Sequence, residues 1–230
     1  MVDLILVIMI LIFAWVGYYK GLIKALITLT SSIVALALSL IIYPMINQIL
    51  RLTILYTNIY NGVYDKVSGI DFGKGLQTQG NAITKNITWI PKPLIEQIVR
   101  DNNQSVYELL GVNTLIEYIS TYITDIIIAL ISIVITWFII KVVLVWVLGA
   151  IGVVVEHMPV ISGMNRLGGF VVGGIKGILT LCIITLLVPV FITIPSLNEF
   201  GKALQSAFLV QWFYEHNWVI WLYNQFILGK

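Results

Sequence analysis

Long apolar runs separated by short polar segments dominate the hydrophobic pattern of this chain. An α-helix rises about 1.5 Å per residue, so about 20 apolar residues cross the roughly 30 Å hydrocarbon core of a bilayer. Four runs meet or approach that length, and they predict spans at residues 2–19, 22–43, 126–148 and 168–190. The pattern therefore predicts an all-α, polytopic membrane protein with about four transmembrane helices and further amphipathic or interfacial helices outside the membrane.

The ends of the runs add detail to this prediction. Asp3 precedes the first run and Lys20 follows it. This reverses the charge order of a signal peptide, so we interpret the run as a retained span. Pro44 is expected to end the second span, because proline removes a backbone donor. The third run continues to residue 155, so we expect it to tilt or to continue along the membrane surface.

Basic residues in the short loops predict the orientation of the spans. Lys20 and Lys24 lie at the turn between the first two spans, and Arg166 lies between the last two. Short loops rich in lysine and arginine stay in the cytoplasm. Both termini and residues 44–125 are then expected outside.

Two segments have a mixed composition. Residues 44–125 are expected to form an external, mostly helical insertion, with an amphipathic helix after Pro44, a loop at residues 61–93 and a helix from Ser105. Residues 196–230 are rich in Trp and Tyr, interrupted by polar residues. These rings prefer the headgroup layer, so we predict one interfacial helix on the outer surface. A fifth span and an aromatic partner-binding surface are the alternatives.

Composition supports a lipid environment and argues against several classes of function. Apolar residues make up 59% of the 230 residues and charged residues 10%, whereas soluble domains have about 25% charged residues. The net charge of +2 gives no indication of nucleic-acid binding. The single cysteine, Cys182, supports neither a disulfide framework nor a thiolate metal site.

Sequence motifs for catalysis are not found. His157 and His216 are predicted on opposite sides of the membrane, so they cannot share a metal ion. The chain contains no HExxH, no GxSxG and no phosphate-binding loop. We therefore predict that the protein is not an enzyme and holds neither a cofactor nor a metal. Acidic residues are also absent from the centres of the predicted spans. This argues against a proton-coupled pump but not against a passive pore.

Glycines recur every four residues in the fourth span, at Gly169, Gly173 and Gly177. Residues at this spacing share one helix face, and glycine lets a second backbone approach closely. Glycine also destabilises a helix relative to alanine, so the repeat calls for a reason. We interpret it as a helix-packing face, within the bundle or between subunits.

Small residues also share a face of the second span, and we expect this face to receive the glycines. Its hydroxyl groups have two further interpretations: they bond carbonyls of their own helix, or they line a water-filled path. Lys141 in the third span likewise either extends toward the inner headgroups or lines such a path. The small residues are Thr28, Ser32, Ala35 and Ser39.

Two short segments carry a family resemblance. One ends the first apolar run with the pattern Gly-x-x-Lys-Gly, and the other precedes the glycine-rich span with the pattern Asn-Arg-x-x-Gly. With these patterns the chain resembles the colicin V production protein (CvpA) family of bacterial inner-membrane proteins, over most of residues 1–195. The residues concerned, which we take as candidate functional turns, are Gly17, Lys20, Gly21, Gly163, Asn165 and Arg166.

The resemblance implies the bacterial cytoplasmic membrane and a role in producing or exporting a peptide toxin. The family offers no catalytic residues to transfer. We expect a non-enzymatic protein that acts in bacteriocin export or envelope maintenance through helix packing and partner binding. The expected partners are the lipid bilayer, a second copy of the chain or other secretion proteins. The alternative is a channel or transporter component in which an oligomer lines a path. For the two turns, the alternative is a purely topological role.

Overall fold

The computed structural model describes residues 2–151 and 163–226, in which every regular element is helical. Three stretches are long and apolar enough to cross a membrane: Val2–Arg51, Leu115–Leu144 and Gly163–Thr193. The all-α class is thus confirmed for the described part of the chain. The predicted continuation of the third run beyond residue 151, and His157, lie outside the described residues.

Within the described ranges the chain forms a series of α-helices, and a 3-10 turn at Pro195–Leu197 separates the eighth from the ninth. They are α1 (Val2–Arg51), α2 (Ile54–Val67), α3 (Leu76–Asn86), α4 (Lys92–Arg100), α5 (Gln104–Leu110), α6 (Leu115–Ile151), α7 (Gly163–Thr185), α8 (Val188–Thr193), α9 (Asn198–Gln205), α10 (Phe208–Glu215) and α11 (Trp218–Phe226).

A break at Gly21 divides α1. The φ and ψ angles of Gly21 are 73° and 168°, a combination that is essentially restricted to glycine. Residues 2–20 and residues 22–51 are therefore two helical segments. The expected stop at Pro44 is wrong, because the second segment runs through this proline to Arg51. A single proline removes one backbone hydrogen bond, and a helix supported by neighbours tolerates that loss.

The helix α6 begins before its apolar run because its first turn is capped. The backbone N–H of Glu117 donates to Thr114 Oγ1 at 3.2 Å. In return, the Glu117 carboxylate accepts from the N–H groups of Asn113 and Thr114. This capping box stabilises a polar first turn that hydropathy alone does not reveal.

The chain forms two compact units. Unit 1 comprises Met1–Ile46 and Ser132–Thr185, and unit 2 comprises Asn47–Ile131 and Leu186–Lys230. Unit 1 buries small side chains of α1, among them Ala14, Ala25 and Ala35. Unit 2 buries larger ones, and Ile59, Ile83, Leu94, Ile98 and Tyr118 are fully buried.

Residues 61–93, expected to be a loop, contain the end of α2 and the whole of α3. Val67, at the end of α2, and Ile83, in α3, are fully buried in unit 2, so tertiary packing supports helices whose own sequence is rich in Gly and Asn. A helix does form near Ser105, but its N-cap is Asn103, whose side chain accepts from the N–H of Val106.

The tail forms three short helices, α9 to α11, where we expected one interfacial helix. None exceeds nine residues, so no helix within residues 198–226 is long enough to cross a bilayer. Asn217 starts α11 by accepting from the N–H groups of Val219 and Ile220. Phe213 and Tyr223 are buried in unit 2, so part of the aromatic composition serves the core.

Candidate functional site

The glycines of α7 lie against the first segment of α1 in unit 1. A methyl group added at Gly169 would overlap the Gly17 carbonyl oxygen, and one at Gly173 would overlap that of Phe13. At Gly177 the added carbon would lie 3.2 Å from the Ile10 Cα. Residue numbers fall along α1 as they rise along α7, so the two segments run antiparallel. The backbones are too close for any side chain between them.

Glycine is needed on both sides of this contact. A Cβ at Gly17 would lie 2.8 Å from the Gly173 Cα, and one at Gly173 would lie 3.0 Å from the Gly17 Cα. Contact this close maximises dispersion attraction between helices where lipid provides no hydrophobic driving force. We refer to Gly17, Gly169 and Gly173 with their neighbours as the glycine contact.

The face of small residues in the second segment of α1 has a different neighbour from the one we expected. The indole N–H of Trp137, in α6, donates to the Ser32 carbonyl oxygen at 3.1 Å. Ser32 and Ser39 are fully buried, and their hydroxyls donate to the carbonyls of Thr28 and Leu36. These hydroxyl protons are used within their own helix and are not offered to water.

Asn165, in α7, forms a hydrogen bond with the backbone at the Gly21 break. The backbone N–H of Leu22 donates to Asn165 Oδ1 at 2.9 Å. A helix start leaves N–H groups without an intrahelical acceptor, and Asn165 satisfies one of them. A Cβ on Gly21 would lie 2.6 Å from Asn165 Nδ2. The two segments that carry the family resemblance are therefore in direct contact.

No protein-family model, curated protein or solved structure matches the chain. The CvpA resemblance therefore rests on the two sequence patterns. Among residues 2–151 and 163–226, no group of three or more His, Cys, Asp or Glu side chains is placed to hold a metal ion.

Cationic side chains of unit 1 lie over aromatic rings. The Arg166 guanidinium is 5.9 Å from the centre of the Tyr18 ring. The Lys141 ammonium is 4.2 Å from the Trp137 ring, one helical turn away in α6. Attraction to the negative face of a ring stabilises a cation that has no carboxylate beside it. No described residue comes within 4 Å of the Cβ position of Gly163, so Gly163 is not part of the glycine contact.

Unit 2 contains a polar cluster that sequence reasoning missed. Arg51 Nη2 lies 3.0 Å from Asp125 Oδ2, and the Tyr56 hydroxyl donates to Asp125 Oδ1 at 3.1 Å. Arg51 Nε also donates to Asn47 Oδ1 at 2.9 Å. Burial, and then the nearby Asp125 carboxylate, raise the pKa of Tyr56 to about 12, so its hydroxyl remains a donor at neutral pH. The cluster ties the ends of α1 and α2 to α6.

Asp125 directly precedes the third apolar run in the sequence, but the sequence does not show which residues pair with it. Arg51 is 74 positions away in the chain. Only the packing of α1 against α6 within unit 2 shows that this carboxylate is paired with a cation.

Replacing Asn165 tests whether its hydrogen bond with the Leu22 N–H stabilises the helix break. Asn165→Leu leaves the Leu22 N–H without its acceptor, and we expect a loss of about 1–3 kcal/mol in the free energy of unfolding. Asn165→Asp keeps the acceptor oxygen and should retain near wild-type stability. Thermal unfolding in detergent measures both variants, and equal stability of Asn165→Leu and wild type would contradict the assignment.

Proposed function

We propose that this protein is a non-enzymatic integral membrane protein that acts as a helical scaffold in the production or export of a peptide toxin, or in envelope maintenance. The observation that supports this most is the glycine contact, combined with the Asn165 hydrogen bond to Leu22. Together they make the centre of unit 1 a tightly packed scaffold. The CvpA resemblance supplies the biological setting.

We infer that α1 crosses the membrane twice, which makes four spans with α6 and with α7 and α8 together. A straight helix of 50 residues would be about 75 Å long, more than twice the hydrocarbon thickness. The Gly21 break is where the chain reverses. Lys20, Lys24 and Arg166 support a cytoplasmic position for that end, in a bacterium, with both termini outside.

Exposed apolar side chains support a scaffold that binds other helices. Ala14 and Gly17 face α7, while Leu4, Leu11 and Trp15 of the same segment are exposed by more than half of their surface. A measurement of association distinguishes a helix-binding surface from one that contacts only lipid.

Photo-crosslinking in native membranes tests the scaffold. A photoreactive residue at Leu11 should give adducts larger than the monomer, with a second copy or another membrane protein. The same residue placed at the buried Ala35 provides the control and should give none. Recovery of the monomer alone from both positions would contradict partner binding.

A channel formed by an oligomer is the second candidate, and the half-buried charge of Lys141 within a predicted span favours it. The hydroxyls of Ser32 and Ser39 argue against a path along that face, because they bond their own backbone. Purified protein in vesicles should pass neither chloride nor potassium if the scaffold proposal holds. Chloride flux that disappears in Lys141→Met would favour the channel.

A further inference from the structure

Charge is unevenly divided between the two units. Unit 2 carries eight basic and nine acidic residues. Unit 1 carries five basic residues, and its described residues include a single acidic one, Asp3. Asp3 lies at the start of the first segment of α1, at the opposite end from the Gly21 break. The basic residues of unit 1 are Lys20, Lys24, Lys141, Arg166 and Lys176.

These five cations have no carboxylate partner in the described part of the chain. Every ion pair found there lies in unit 2. Arg166 lies over Tyr18 instead, and the Lys176 ammonium is 6.0 Å from the Phe13 ring. A ring stabilises a cation but accepts few of its hydrogen bonds. Within residues 2–151 and 163–226, no carboxylate uses the N–H donors of these groups, and an anion can accept from them.

Three of the cations are brought to one place by the contact at the helix break. Lys20 precedes Gly21 in the chain, Lys24 lies in the first turn after it, and Arg166 follows Asn165, which binds the Leu22 N–H. We call Lys20, Lys24 and Arg166 the basic end of unit 1. A helical segment starts at Leu22, and its N-terminal dipole adds positive potential there.

Lys176 adds to the unbalanced charge. It is half-buried in α7, where its ammonium lies over the Phe13 ring and has no carboxylate partner among the described residues. A charge within an apolar helix is costly unless a partner offsets it. An anion bound at the basic end would offset part of the unbalanced positive charge of unit 1.

Apolar side chains beside the basic end indicate what kind of anion fits. Tyr19, Ile23 and Leu167 are neighbours of the three cations in sequence and are exposed by about half or more of their surface. A phosphate with an attached acyl chain satisfies both the charge and this apolar surface. Free phosphate would leave the apolar side chains uncovered.

We propose that the basic end of unit 1 binds the phosphate group of an anionic phospholipid. The basic side chains bind the phosphate, and the acyl chains lie along the exposed apolar residues. This binding is separate from the scaffold role, because it needs only the folded unit 1 and a lipid.

Native mass spectrometry of the full chain in non-ionic detergent tests the proposal. Phosphatidylglycerol and phosphatidylcholine with identical acyl chains are titrated separately. Wild type should bind the anionic lipid at least about tenfold more tightly than the zwitterionic one. The triple variant Lys20→Gln, Lys24→Gln, Arg166→Gln should lose on the order of 100-fold in affinity for phosphatidylglycerol, since each basic group near a membrane surface contributes about 1 kcal/mol.

A matched control removes the same charge from unit 2, with Lys66→Gln, Lys74→Gln and Lys85→Gln, and should bind like wild type. Equal binding of both lipids by wild type, or an unchanged preference in the basic-end variant, would overturn the proposal. Complete displacement of the lipid by inorganic phosphate would overturn its lipid part. If the triple variant does not fold, a wild-type titration in low and high salt decides, and a salt-insensitive preference counts against the site.

Discussion

Gly173→Ala is expected to lower the free energy of unfolding by about 3 kcal/mol, because overpacking of a closely packed contact forces the backbones apart. The new methyl group would overlap the Phe13 carbonyl oxygen and lie 3.0 Å from the Gly17 Cα. Neither atom can move without moving its helix. Thermal unfolding of the protein in detergent, followed by circular dichroism, measures the effect.

The neighbouring glycine provides the control. A Cβ at Gly174 meets only the Ala14 Cβ, at 3.8 Å, which is ordinary contact. Gly174→Ala should therefore be neutral, or stabilising by about 0.5–1 kcal/mol through the better helix propensity of alanine. Equal effects of the two substitutions would show that general helix propensity, and not the glycine contact, governs unit 1.

Gly21→Ala is expected to destabilise unit 1 by a similar amount, about 3 kcal/mol, for a different reason. An alanine cannot adopt φ 73° with ψ 168° without strain of about 1–3 kcal/mol. Its Cβ would also lie 2.6 Å from Asn165 Nδ2, which displaces the side chain that binds the Leu22 N–H. The measurement is again thermal unfolding in detergent.

Gly163→Ala is the matched control for the break. Among residues 2–151 and 163–226, no atom lies within 4 Å of the Gly163 Cβ position, and its φ lies outside the left-handed region, so the substitution should leave the unfolding temperature unchanged. A wild-type unfolding temperature for Gly21→Ala would mean that the helix runs straight through this position.

The long helices could be predicted because their cause is local. Apolar runs long enough to cross a bilayer form helices whatever their neighbours, since each backbone group must be satisfied within its own segment. A turn at this point could also be predicted, because Lys20 and Gly21 interrupt an apolar run and Lys24 follows three residues later. The helix end predicted at Pro44 was wrong because its cause is not local. A proline normally ends a helix, but packing against neighbouring structure lets this helix continue through it.

The short helices of unit 2 were predicted less well. α3 has a polar, glycine-containing sequence that predicts a loop, yet it buries Ile83 completely. The tail was interpreted from its aromatic composition alone, and Phe213 and Tyr223 turned out to be core residues. In both cases long-range packing determines which residues are helical and buried. The composition of a segment cannot show this, because it does not distinguish the buried face from the exposed face.

By itself the sequence determined the helical class, the apolar stretches and which residues have unusual spacing, because these depend on neighbours within a few turns. Only the tertiary structure showed which helix faces and side chains contact one another. It places the glycines of α7 against the first segment of α1, the face around Ser32 against Trp137, and Asn165 at the Gly21 break across 143 positions. Spacing identifies a face that can pack, but several faces fit it equally well, and only the folded backbone shows which one does.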